Sequence, residues 1–248
     1  MTDGRIEISL IIPAYNEERY IPRLLDTIDV ARERFRLGED VVEVVVADNM
    51  STDRTAEIAS DRGCVVARVE KRAIACARNG GAKAASGRIL AFVDADQRIH
   101  PETFNAIHDA MTNDRYIAGA SGVRLERWSL GIALTYASML PMVWLTGMDT
   151  GVVFYRREDY LAVGGYNEGR LYAEDVQLLM GLRRIGKGRG QKLVRLKNAK
   201  TLNSMRKFDQ FGDWHHIRAL LVAPFWFAFS RAKLDGFVRN YWYENQDR

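Results

Sequence analysis

Short apolar runs alternate with amphipathic segments through the first half of the chain, and this alternation restricts the fold more than any other feature. Ile8 to Pro13 reads as a strand. Leu24, Leu25, Ile28 and Phe35 follow at helical spacing, with Pro22 where a first helical turn tolerates proline. Val41 to Ala47 is a second strand with Glu43 as its only charge, and Ser51-Thr52-Asp53 opens a helix by capping chemistry. Val65 to Val69 is a third strand, and an Ala-rich helix from Ala73 to Ala85 follows it, ended by Gly87. Arg88 to Val93 is a fourth strand, buried on both faces, and Pro101 starts the next helix. This β-α-β-α order predicts a parallel, doubly wound sheet flanked by helices.

The second half is less regular. Tyr116 to Val123 and Gly151 to Tyr155 read as strands, Gly164-Gly165-Tyr166 as a turn, and Glu174 to Ile185 as a helix. Ser129 to Met148 holds no charged residue and is long enough to consider as a membrane span. Gly131, Thr135, Ser138, Pro141 and Gly147 interrupt it, so the expectation is a helix that covers the domain or lies at a membrane interface. The segment from Trp214 to Phe229 is apolar and aromatic. Its part Leu220 to Phe229 is too short to span and is flanked by Arg218, Arg231 and Lys233. Packing on the parent domain, docking at a membrane surface and a homodimer contact are the readings open for it.

No linker, repeat or low-complexity block divides the 248 residues, and 47% hydrophobic content is ample for a core. The net charge of +4 suits an anionic ligand or membrane surface, and the absence of a Lys/Arg run argues against a nucleic-acid partner. Cys64 and Cys76 form no Cys-x-x-Cys pair and read as reduced core thiols. With a polar stretch from Met1 to Glu7, the expectation is a cytoplasmic protein, at most peripheral to the inner membrane face.

The chemistry gathers at strand ends. Phe92-Val93-Asp94-Ala95-Asp96 brings two carboxylates to the carboxyl end of a buried strand, where ligands bind in open α/β sheets. Two hard oxygen donors so close together suit Mg²⁺ or Mn²⁺ holding a diphosphate. The first turn, Pro13-Ala14-Tyr15-Asn16-Glu17, lacks Gly-x-Gly-x-x-Gly, which argues against a dinucleotide oxidoreductase. Asp48, at the second strand's end, could accept hydrogen bonds from a base or ribose, or could simply organise its turn. Arg78, among small helical residues, could reach a phosphate or base, or be an exposed helix charge. Glu174-Asp175 forms a second acidic site downstream. One carboxylate pair for a metal and one for proton transfer is a division of labour that group transfer needs.

Taken in order, six stretches resemble the inverting glycosyltransferase family 2 with its GT-A fold. They are Leu10 to Glu18, Asp48 to Asp53, Ala77-Arg78-Asn79-Gly80-Gly81, Phe92 to Asp96, Gly164 to Glu168, and Glu174-Asp175. The resemblance implies a Rossmann-like, mostly parallel sheet with an elaborated acceptor-side second half. It implies one domain over 1–248: a nucleotide-sugar half to about 98, an acceptor half over about 99–212 and a helical tail over about 213–248. It implies transfer of a sugar from a nucleotide-diphosphate sugar, UDP-linked, to an acceptor hydroxyl with inversion. The acceptor class, whether glycan, lipid-linked or small molecule, stays open.

By the same resemblance, Pro13, Tyr15, Glu17, Asp48, Arg78, Asp94 and Arg206 would bind the nucleotide. Asp96, with Asp94 and His216, would hold Mg²⁺ or Mn²⁺. Asp175 would be the general base, and Glu174 would orient it or shape the acceptor pocket. Lys207 and His215 are alternatives to Arg206 and His216. The chain departs from the family pattern at Asp48-Asn49-Met50, where members often carry a second acid and a glycine. Two other classes compete: a sugar-phosphate nucleotidyltransferase, whose Gly-rich N-terminal loop is missing, and a non-catalytic sugar-nucleotide-binding module, against which the intact acids stand.

Overall fold

The computed structural model describes residues 5–146, 148–169, 174–215 and 217. In chain order the elements are β1 (Ile8–Ala14), α1 (Ile21–Glu33), β2 (Val42–Asp48), α2 (Thr55–Asp61), β3 (Val65–Arg68), α3 (Ile74–Ala84), β4 (Ile89–Phe92) and α4 (Thr103–Met111). They continue with β5 (Tyr116–Ala120), β6 (Val123–Leu125), α5 (Leu130–Thr146), β7 (Val153–Arg156), α6 (Arg157–Val163), α7 (Glu174–Gly188), β8 (Lys192–Arg195), β9 (Thr201–Asn203) and α8 (Arg206–Phe211). The chain forms two compact units, Met1–Arg124 with Gly147–Asn203, and Leu125–Thr146 with Ser204–Arg248.

The first unit is built on a seven-stranded sheet of order β3-β2-β1-β4-β7-β5-β8. β1 pairs in parallel with β2 and β4, β2 with β3, and β5 with β8, while β7 is antiparallel to both its neighbours. Alternate residues point to opposite faces and both faces are buried, which explains why the strands are apolar throughout. In β1, Ile8, Leu10 and Ile12 pack with Leu24, Leu25 and Ile28 of α1 and Phe104, Ile107 and Met111 of α4. On the other face Ile11 joins Val45, Leu90 and Phe92, which pack with Ala75 and Ala82 of α3 and Leu178, Leu179 and Leu182 of α7.

The order reverses at β1, with β2 and β3 to one side and β4 to the other. Such a switch point opens a crevice beyond the strands' carboxyl ends. The sequence assists locally. Ile11 O accepts the Val93 N–H at 3.1 Å, and Ala14 O accepts the Asn49 N–H at 2.8 Å, so odd positions of β1 face β4. Pro13 is the next odd position and has no N–H to give, so the β1–β4 ladder ends there.

The first-half elements match expectation within a residue or two, except at punctuation. Gly87 does not stop α3, which ends at Ala84. A Cβ at Gly87 would fall 2.6 Å from the Ser9 backbone nitrogen, so its glycine serves a close approach to β1. Pro101 lies in the turn before α4 rather than in its first turn. Ser51 does not cap α2. Asp53 does the local work, its Oδ1 accepting the Thr55 N–H at 2.9 Å. The strand expected from Tyr116 to Val123 breaks after Ala120, because Gly122 takes a φ of +69°, and β6 then pairs with β9 in a separate ribbon. Cys64 and Cys76 are free thiols.

The second unit has a small core of Leu125, Ile132, Met205 and Phe208. Arg127 forks onto Asp209 and Asp213, with Nη2 at 2.7 and 2.8 Å from their oxygens. Within Ser129 to Met148, Leu130–Thr146 is helical as α5, unbroken at Pro141, and Leu130, Leu134 and Leu140 on it are exposed, as is Trp128 just ahead of it. Among the described residues no helix is long and apolar enough to cross a membrane. The tail expected from Trp214 to Phe229 lies mostly outside the described residues.

Candidate active site

The loops after β1 and β2 are laced together by side chains. Asn16 adopts φ +53°, and its Oδ1 accepts the Thr52 N–H at 2.8 Å. Ser51 Oγ accepts the Asn16 N–H at 3.1 Å, and Thr55 Oγ1 accepts the Glu17 N–H at 2.8 Å. Asp48, buried at the end of β2, accepts the Ser51 N–H at 3.1 Å. Met50 takes φ +68°, the left-handed backbone that accounts for glycine in the family pattern at this turn. The Arg72 guanidinium stacks 3.8 Å from the centroid of the Tyr15 ring, across the same crevice.

The centre of the site is Arg78. Gly81 lets α3 press onto the sheet, since a Cβ there would come within 2.4 Å of Ile11 Cγ2. That seating carries Arg78 to the crevice, where its Nη2 donates to Asp94 Oδ1 at 3.2 Å and its Nη1 to Glu174 Oε1 at 2.6 Å. Its guanidinium also lies 5.3 Å from the Tyr166 ring centroid. Burial alone would lower the Arg78 pKa, but Tyr166, Asp94, Glu174 and Asp175 raise it above the ordinary arginine value. Glu174 is raised from 4.5, first by its own burial and then by Asp175 and Asp94, although Arg78 pulls the other way. Both directions follow from three carboxylates sharing one buried guanidinium.

Asp175 begins α7 beside Glu174, is less buried than Glu174, and accepts the Val176 N–H at 2.8 Å. Around Asp94 the exposure alternates: Ala95, Gln97 and Ile99 are buried, while Asp94 and Asp96 face the more open side. The Asp94 side chain is 47% exposed even with Arg78 bound. Among the described residues no group of three or more His, Cys, Asp and Glu side chains is assembled for a metal. The donors present still fit Mg²⁺ or Mn²⁺, which are held by one or two carboxylates plus substrate phosphates rather than by an all-protein cage.

The structure therefore gathers Arg78, Asp94, Glu174 and Asp175, and sets Pro13 and Asp48 at the ends of β1 and β2 and Tyr15, Glu17 and Asp96 in the loops at the same sheet edge. Arg206 starts α8 in the second unit, and His216 lies outside the described residues. His215 packs on Phe208, ring centroids 5.1 Å apart.

Two asparagines that the sequence pattern does not single out also shape the site. Asn79 Oδ1 accepts from Tyr160 Oη at 2.6 Å and the Tyr166 N–H at 2.9 Å, while its Nδ2 donates to Tyr166 O and Glu168 Oε1. It thus fastens the Gly164–Glu168 turn to α3. Asn49 does the same for the loop before α3, donating to Val69 O and Lys71 O and accepting the Ala73 N–H. Their place in the Asp48-Asn49 and Arg78-Asn79 pairs was the available signal. A groove of about 460 Å³ between the Gly164–Gly165 turn and α7 contains none of these carboxylates.

Comparison with known proteins agrees with this fold. A dolichol-phosphate mannosyltransferase of Pyrococcus furiosus is 32% identical over 132 residues, 50% of this chain and 36% of that protein. The crystal structure of Staphylococcus aureus TarS 1-349 superposes with a TM-score of 0.62 at 20% identity, covering 88% of this chain and 64% of that one. A Pyrobaculum calidifontis mannosyltransferase bound to GDP-Man and Mn²⁺ gives 0.60 at 21% identity, with 81% and 57% covered. The chain thus spans from about a third to under two thirds of these proteins' lengths. The fold is the expected GT-A arrangement, and the model of the glycosyl transferase family 2 matches residues 9–132. The chain belongs to glycosyl transferase family 2.

Proposed function

We propose that this protein is a metal-dependent inverting glycosyltransferase that moves a sugar from a nucleotide-diphosphate sugar, by preference UDP-linked, to an acceptor hydroxyl. The observation that carries the reading is Arg78 bridging Asp94, from the strand-end Asp-x-Asp turn, to Glu174, from the acid pair on α7. One buried cation joins the donor-side acids to the acceptor-side acids, so both halves of a transfer site are held in fixed relation.

The acceptor hydroxyl has a high pKa and must lose its proton as it attacks the anomeric carbon. Asp175 takes that proton, and Glu174, neutralised by Arg78, keeps Asp175 oriented without competing for it. Asp96, with Asp94, would hold Mg²⁺ or Mn²⁺, which when bound offsets negative charge on the leaving diphosphate. Arg78 holds Asp94 so that one of its oxygens is fixed before the donor arrives. Asp48 accepts hydrogen bonds from the base, while Tyr15 flanks it. Attack from the side opposite the diphosphate inverts the anomeric centre, and no covalent enzyme nucleophile is needed. The GDP-Man bound by the Pyrobaculum enzyme supports a nucleotide-sugar donor and makes guanine the rival base. The exposed apolar face of α5 supports contact with a membrane surface that would present a lipid-linked acceptor.

Product analysis over a panel of nucleotide sugars with Mn²⁺ tests the reading. Release of nucleoside diphosphate is expected. Release of pyrophosphate would instead mean a nucleotidyltransferase, and no turnover with any donor a binding-only module.

A further inference from the structure

One built feature on the catalytic edge of the first unit has no role in that reaction, the pair Arg195–Asp149. β5 runs with β4, since each is antiparallel to β7, and β8 is parallel to β5. The carboxyl ends of β5 and β8 therefore share the edge that bears Asp94. Arg195 is the last residue of β8, and Asp149 stands just ahead of β7 at that edge.

The Asp149 side chain is 7% exposed and pairs through Oδ2 with Nε of Arg195, whose side chain is 43% exposed. Asp149 Oδ1 accepts the Thr150 N–H at 2.9 Å. Gly122, at φ +69°, forms the opposite flank. A Cβ on it would lie 3.0 Å from Asp149 Oδ2 and 3.2 Å from Arg195 Nε, so the bare backbone leaves the pair its room. Thr201 N–H donates to Gly122 O at 3.0 Å, and Ser121 Oγ and Thr201 Oγ1 are 2.7 Å apart beneath it, fully buried. The arginine is held by a buried acid.

A guanidinium paired at Nε keeps its two Nη groups as a planar fork that matches phosphate oxygens. Lys197 and Lys200 follow on the next loop and are exposed, while Leu196 and Ala199 between them are buried. Asp149 precedes β7, the neighbour of β4. β8 lies three strands from β4, and at ~5 Å per strand their carboxyl ends are on the order of 15 Å apart, with the Arg195 side chain turned back toward β7 through Asp149. An acceptor lying along this edge can carry its reacting hydroxyl at one end and a phosphate at the other.

We infer that Arg195, with Lys197 and Lys200, binds a phosphomonoester carried by the acceptor. This rests on the sugar-transfer reading above. The acceptor oxygen bonds to the anomeric carbon as the bond to the diphosphate breaks, the hydroxyl proton goes to Asp175, and the phosphomonoester is unchanged.

The test is calorimetry of sn-glycerol 3-phosphate against glycerol on the full chain, with and without UDP and Mn²⁺. Alongside it runs flotation with phosphatidylcholine vesicles that contain or lack phosphatidic acid. Binding of glycerol 3-phosphate but not glycerol identifies a soluble phosphate acceptor. Selective capture by phosphatidic acid identifies a lipid one. Arg195→Gln is expected to weaken whichever binds about tenfold or more, and Arg195→Lys to retain part of it. Arg183→Gln, an exposed charge on α7, is the control. If Arg195→Gln does not fold, the exposed double variant Lys197→Gln/Lys200→Gln decides, with a weaker loss expected. Absence of phosphate binding, or binding untouched by these changes, overturns the subsite. Failure of UDP and Mn²⁺ to bind overturns the donor reading instead, and the titrations without them still judge the subsite.

Discussion

At the scale of single residues the site depends on Arg78 and on the division of roles between Glu174 and Asp175. Arg78→Met leaves Glu174 buried without its partner, and losing one member of a buried pair costs about 3–5 kcal/mol. Denaturant unfolding should show that loss, and a change under 1 kcal/mol would remove Arg78 from the centre of the account. Asp175→Asn keeps size and removes basicity, so donor binding should persist while transfer falls by about 10² or more. Near-normal transfer at saturating substrate would reject Asp175 as the base. Each of these residues stood out in the sequence, because strand ends and helix starts mark where chemistry collects. Their meeting did not, since Arg78 and Glu174 are 96 positions apart and only the folded sheet brings them within 2.6 Å. Asn49 and Asn79 stayed hidden for a related reason. An asparagine's value lies in which backbone groups surround it, and these come from distant loops.

At the scale of elements, Glu43 shows how a charge inside a strand is accommodated. It accepts hydrogen bonds from Ser9 Oγ, from Ser86 N–H and Oγ, and from the Gly87 N–H, tying β2 to β1 and to the turn before β4. Burial works to raise its pKa, but these donors together lower it below 4.5. A depressed carboxylate stabilises the fold above its unfolded pKa, and the contribution is lost as pH falls through the folded value. Glu43→Gln should therefore lower stability near pH 7 by about 1 kcal/mol, or roughly 3 °C in Tm. The gap to the unsubstituted protein should close as pH drops below 4.5. A gap that stays constant across that range would mean the charge itself is immaterial. The strands and helices of the first half were legible because two-sided burial makes β1, β2 and β4 continuously apolar, and α1 repeats with helical spacing. The break in the strand after Ala120 was not, since composition around Ser121-Gly122 continues the apolar run and only the positive φ redirects it.

At the scale of the whole molecule, the second unit carries exposed apolar side chains that suit a membrane surface. Trp128, just ahead of α5, and Leu130, its first residue, are 64% and 68% exposed. Sedimentation with anionic vesicles at low and high salt should recover the protein with the vesicles at low salt. Arg218, Arg231 and Lys233 would each add about 1 kcal/mol near the headgroups. A protein that stays in solution at low salt would make α5 a homodimer or covered surface and favour a soluble acceptor. The parallel, doubly wound character of the first strands was implied by the β-α-β alternation; their order and the antiparallel β7 were not, because strand neighbours and direction are set by tertiary pairing. The central claim is that the crevice binds a nucleoside diphosphate through a divalent metal at Asp96. Calorimetry of UDP with and without Mn²⁺ tests it most directly, on the unsubstituted protein and on Asp96→Ala. Mn²⁺-dependent UDP binding that Asp96→Ala abolishes is the expected result. Unchanged Mn²⁺-dependent binding in a folded Asp96→Ala protein would contradict it.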